Sequence, residues 1–191
     1  MNIAIKVAMI CGASAVIIGA ISGSGSSSIN RVPAEKLPIP SDQARFERAV
    51  LSARTSYNSA ANELAAGGIR SSRQQAICNA VINQQASDWV GRIETLTSNG
   101  DGKGVVSLSM TQYIHVATWN NSLSDIRDNT LIDPTSSMFK QLAALKVGDL
   151  VIFSGQFSSS NTDCVGEQSV TLQGSMTNPE FTMRFTSIRK L

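Results

Sequence analysis

At Trp89 the apolar residues change from a spacing of three and four to a spacing of two, and this switch constrains the fold more than any other feature of the chain. Upstream, Phe46, Ala49, Val50, Ala53, Tyr57, Ala60, Ala61 and Leu64 recur at helical steps behind Ser41 as N-cap and Asp42 at the positive helix end. That spacing predicts an amphipathic helix over 41–66, stopped by Gly67-Gly68. A second helix is expected from about residue 72, where Ser72 and Gln75 stand at capping-box spacing and Ala76, Ile77, Ala80 and Val81 form an apolar side. From Trp89 onward, alternation predicts a strand over 88–96, a glycine-rich hairpin loop over 98–104 and a second strand over 105–110. Aromatic and β-branched residues mark a third strand over 112–119. A short helix over 137–145 and a turn at Lys146-Val147-Gly148-Asp149 then lead into a fourth strand over 150–157. Residues 170–174 begin another strand, and 181–188 finish the pattern.

The order β-β-β-α-β-β, within about 100 residues, is the organisation of an OB fold. The expected class is therefore mainly β (α+β): a five-stranded, OB-fold-like closed barrel preceded by two helices and an N-terminal hydrophobic leader. Leu145-Lys146-Val147-Gly148-Asp149, followed by Val151, Phe153, Ser154 and Gly155, looks like the turn into the fourth strand of many OB domains. On those residues the chain resembles exported bacterial OB-fold proteins in the neighbourhood of the tRNA-anti-like group, over about 85–190. The shared stretch is scaffold and carries no chemistry. The expected domains are 1–22 as signal peptide or membrane anchor, 23–40 as a flexible Ser/Gly/Pro linker, 41–84 as a helical extension and 85–191 as the barrel.

The leader reading rests on residues 7–21, fifteen positions without a charge, a length that suits a secretory signal and falls short of the ~20 residues of a spanning helix. A cleaved signal and an uncleaved tether are both open. Pro33, Pro38 and Pro40 then make an extended spacer. With Cys11 inside the leader, Cys78 and Cys164 remain as an even pair, which in an exported domain reads as a disulfide. In an OB barrel strands one and four pair antiparallel, so the regions after strand four and before strand one are neighbours and the two cysteines can meet. The alternative is two unrelated buried thiols. Together these features place the protein in the periplasm or on the extracytoplasmic face of the membrane.

Chemistry is harder to find. His115 is the only histidine, so no zinc cluster and no Ser/His/Asp triad can be argued, and neither a metal nor a cofactor is expected. Asp125, Asp128 and Asp133 suit a weak calcium site or turn caps. Trp119 with Asn120 and Asn121 suits stacking and hydrogen bonding to a ligand, on a face that alternation extends to Tyr113 and His115. Arg184 and Lys103 are candidate positive groups for the same ligand. Alternatively, Trp119 seals the barrel and the asparagines cap a turn.

These features favour a non-enzymatic envelope module that binds an unidentified protein or small ligand, and that contacts a membrane if the leader is retained. Single-stranded nucleic acid is the alternative ligand. The formal net charge is +2 and aromatic residues make up 5%, which is thin support for a basic groove with several stacking rings. A hydrolase would have to work with carboxylates such as Glu94, Asp101, Glu167 and Glu180, and is the least favoured reading.

Overall fold

A computed structural model describes residues 38–191. The expected leader, Cys11 and most of the spacer fall outside these residues. Two helices come first, α1 (Ser41–Asn58) and α2 (Glu63–Ala80). Pro40, not Ser41, is the cap residue of α1, its carbonyl accepting the Ala44 N–H at 3.0 Å. The single helix expected over 41–66 is broken at residues 59–62. There the Ser59 hydroxyl turns back onto the Thr55 and Ser56 carbonyls, and the Asn62 side chain caps α2 by accepting the Ala65 N–H at 2.9 Å. These short polar side chains compete with the backbone ladder, which ends one helix and starts the next. Gly67 and Gly68 lie inside α2, facing solvent, and Ser72 is mid-helix rather than a start.

The barrel follows. Its strands are β1 (Gln85–Ser98), β2 (Gly104–Thr111), β3 (Ile114–Ala117), β4 (Leu150–Phe157) and β7 (Glu180–Lys190), closed in the order β1-β2-β3-β7-β4. β1 pairs antiparallel with β4, and β3 pairs parallel with β7, so the sheet has no free edge and has OB-like topology. Between β3 and β4 lies the short helix α3 (Ser137–Leu142). Between β4 and β7 run a small hairpin, β5 (Ser159–Ser160) with β6 (Cys164–Val165), and a helix α4 (Leu172–Thr177). That helix replaces the strand expected at 170–174, because Thr171 caps it by accepting the Gly174 N–H at 3.0 Å. β3 is half the expected length: Gln112 and Tyr113 form the turn that precedes it, and Thr118 and Trp119 lie beyond its end.

Gly155 sits at a register shift where β4 meets β7, and a Cβ there would come within 2.7 Å of the Arg184 carbonyl oxygen. Gly148, in the turn before β4, has φ +92°, which a side chain would strain. Its neighbour Asp149 accepts from the Lys190 ammonium at 2.9 Å and from the Lys146 N–H at 3.1 Å. The Leu145–Asp149 stretch is thus a built corner joining β4, β1 and the end of β7.

Helix α1 closes one end of the barrel. Phe46 is fully buried, 5.2 Å from the Trp89 ring, 5.4 Å from Phe157 and 5.0 Å from Phe181. Burial of such a ring contributes about 1.5–3 kcal/mol. One turn earlier, the buried Gln43 amide accepts the Val90 N–H at 2.8 Å and donates to the Val90 carbonyl at 2.7 Å. β2 pairs with β1 only from Arg92 onward, so Gln43 does for Val90 what a neighbouring strand would do. Asp42 accepts from the Trp89 indole N–H at 2.9 Å.

Helix α2 holds the β4–β7 connection. Cys78 and Cys164 form a disulfide with Cα atoms 5.6 Å apart. Beside it the wholly buried Arg73 guanidinium donates to Asp163 Oδ1 at 2.7 Å, and to the Ser175 carbonyl and hydroxyl. Arg70 forks onto the same carboxylate. Burial pushes the Asp163 carboxyl up, but the hydrogen bonds and charges of Arg70 and Arg73 outweigh it and hold the group below the usual range. Glu167 goes the other way: burial pushes it up further than Ser169 and the Arg73 charge pull it down.

Two outcomes follow from this anchoring. The disulfide closes a loop with a sequence separation of 86, so replacing both Cys78 and Cys164 with serine lowers stability by up to about 4.5 kcal/mol on chain entropy. A urea midpoint unchanged by the double substitution would overturn this. Asp163→Asn leaves the Arg73 charge buried and unpaired and costs about 3–5 kcal/mol at neutral pH. The Asp163 contribution is whole above the unfolded carboxyl pKa of about 3.9 and is lost as pH falls through the lower folded value. The stabilities of the two proteins therefore converge in acid, which denaturation at a series of pH values checks.

Candidate functional site

A polar groove of about 360 Å³ opens on the outer face of the barrel, across β1, β2, β3 and the start of β7. Glu94 and Thr95 come from β1, Ser107 from β2, His115 from β3 and Glu180 from β7, with Gln168, Ser169 and Asn178 on the far wall. The β1–β2 register shifts between Ile93 and Thr95, so Glu94 is the extra residue of a bulge. Bulges redirect side chains, and Glu94 Oε2 lies 2.7 Å from His115 Nδ1. His115 Nε2 is 3.3 Å from Asn178 Oδ1, so the ring is held from both sides. The parallel pairing sets His115 opposite Glu180, whose carboxylate accepts from the buried Ser107 hydroxyl at 3.1 Å.

The far wall is positioned by the β7 backbone and by α2. Gln168 N–H donates to the Glu180 carbonyl at 2.9 Å, Thr182 N–H to the Gly166 carbonyl at 2.9 Å, and the Gln168 amide to the Thr118 carbonyl at 3.1 Å. The same segment is tied to α2 through Cys164 and Asp163. The groove offers two carboxylates, an imidazole, hydroxyls and amides, and among the described residues lining it there is no lysine or arginine. It suits a ligand that brings hydrogen-bond donors or positive charge.

Of the residues expected to share one ligand face, His115 alone lines this groove. Tyr113 sits in the turn before β3 with the Arg54 guanidinium 3.6 Å over its ring, and Arg54 also donates to the Thr177 carbonyl. Trp119 is half-buried in the loop after β3. Its indole N–H donates to Asp128 at 2.7 Å, and its backbone N–H to the Thr130 hydroxyl at 2.8 Å. Asn120 and Asn121 bond to each other, and Asn121 accepts the Ser124 N–H at 2.9 Å in a turn. Arg184 points outward on the part of β7 paired to β4, opposite Gln156. Lys103 belongs to the β1–β2 loop, where Asn99 Oδ1 accepts its backbone N–H. Alternation fails as a guide here because the turn at Tyr113 and the short β3 break the two-residue period on both sides of His115.

The aspartates of the long loop hold the chain itself. Buried Asp125 accepts from Thr130 and Leu131, and Asp133 from Thr135. Among the described residues no group of three or more His, Cys, Asp or Glu side chains is placed to hold a metal ion. Glu94 and Glu180 carried no motif in the sequence; only the bulge and the parallel pairing bring them to His115.

Trp119→Phe removes a hydrogen bond to a carboxylate and costs about 1.5–3 kcal/mol, measured by urea unfolding. No loss of stability would mean that the indole is free for a ligand. Comparison with protein-family models, with curated proteins and with solved structures finds no match to this chain.

Proposed function

We propose that the protein is a non-enzymatic binding module of the exported OB-fold group, working in an oxidising extracytoplasmic space, and that the groove around His115 holds a ligand bearing amine or hydroxyl donors. The observation that carries the reading is the convergence of Glu94, His115, Asn178, Ser107 and Glu180 on one outward-facing groove. The Cys78–Cys164 bond supports the compartment, since disulfides persist where thiols are not kept reduced.

Binding is favoured over hydrolysis because His115 is engaged by Glu94 and Asn178, and among the described residues no side-chain hydroxyl is hydrogen-bonded to its ring. Of the other carboxylates in the hydrolase reading, Glu167 is half-buried away from the groove lining and Asp101 accepts from Ser122 in the hairpin loop. Nucleic acid is the weaker ligand on charge, because Glu94 and Glu180 repel phosphate. It is weaker on stacking too, because Tyr113 is covered by Arg54 and Trp119 is tied to Asp128.

As the only histidine, His115 gives a unique imidazole signal for nuclear magnetic resonance. Titration with a tri-lysine peptide at low salt is expected to move that signal saturably, with at least tenfold weaker binding in the Glu94→Gln/Glu180→Gln double variant. A saturable, salt-sensitive shift with oligo-dT and none with the peptide would replace this reading with the nucleic-acid one. Fractionation of tagged full-length protein with N-terminal sequencing tests the compartment; recovery in the cytoplasm with an intact N-terminus would refute it.

A further inference from the structure

We infer a second site, for a small ligand with an oxyanion and a short alkyl body, in the groove between α1 and α2. This groove, of about 350 Å³, is separate from the one around His115. Arg45, Arg48, Ser52 and Ser56 line it from one face of α1, and Ser72 and Arg73 from the facing side of α2. Among the described residues that line it there is no carboxylate.

The charges are left over from the rest of the fold. Arg45 has one weak hydrogen bond, to Ser41 at 3.3 Å, and Arg48 makes no hydrogen bond or ion pair among the described residues. The two stand three positions apart on the same helix face, where like charges repel, and near the positive end of α1. The Asp163 carboxylate docked on α2 already gives its oxygens to Arg70 and Arg73. Arg73 is 1% exposed, and Nε is the one nitrogen of its guanidinium with no hydrogen-bond partner.

The apolar part of the lining decides what the anion is attached to. Ala49, Ala53, Ile69 and Ala76 are its apolar lining, and three of the four have small side chains. A bare inorganic ion would leave that surface wet, whereas an alkyl chain would cover it while its carboxylate meets Arg45 and Arg48. The volume lies in the range of small-molecule sites.

Isothermal titration of the full chain with octanoate, acetate and octanol tests this. Octanoate is expected to bind saturably and at least tenfold tighter than either acetate or octanol. Arg45→Gln/Arg48→Gln, which changes exposed side chains only, is expected to weaken octanoate at least tenfold. Ser52→Phe, which fills the groove and keeps the charge, is expected to do the same while leaving the His115 signal in place. Equal binding of octanoate and octanol, binding unaffected by the double arginine variant, or no saturable binding of octanoate would each overturn the proposal. None of these outcomes bears on the groove around His115.

Discussion

Arg73 is the residue on which the arrangement of this protein turns. A guanidinium removed from water is tolerated only if its charge and donors are met, and here Asp163 and Ser175 meet them from a connection that lies far away in the chain. Because the acceptors belong to the β4–β7 connection, the cost of burying the charge is recovered only when that connection is seated against α2. The disulfide at Cys78, further along α2, adds a covalent tie between the same elements. The far wall of the His115 groove follows directly from β6 and inherits its position from these contacts.

A second dependence runs through α1. A closed barrel has two open ends, and the core at one of them is finished by a residue the barrel does not contain: Phe46, set among Trp89, Phe157 and Phe181. The Gln43 amide also completes the hydrogen bonding of Val90 where β2 does not reach. The two helices are thus part of the barrel's own accounting of apolar surface and backbone polar groups, not an appendage to it. Their other face carries the surplus arginines of the α1–α2 groove.

Much of the scaffold is legible in the chain. The alternation from Trp89, the turn at Gly148-Asp149 and the apolar run from Leu150 to Phe157 lead to the observed strands, because inward and outward positions in a half-buried strand must differ in polarity. The cysteine pairing is legible as well, once strands one and four are neighbours. The errors fall where a polar side chain overrides periodicity. Asn62 and Ser59 split one expected helix into two, and Thr171 starts a helix where a strand is expected. The candidate ligand face fails for the related reason that Tyr113 lies in a turn and Trp119 past the end of β3.

Local spacing therefore marks β1, β2, β4 and β7 as strands and leaves two thiols available, since these depend on neighbours within a few residues. The partners of His115, the burial of Arg73 and the surplus charge on Arg45 and Arg48 are decided only in three dimensions. Each depends on groups separated by twenty to a hundred residues, brought together by a bulge, a parallel strand pairing or a helix docking, and none of these leaves a periodic trace in the sequence.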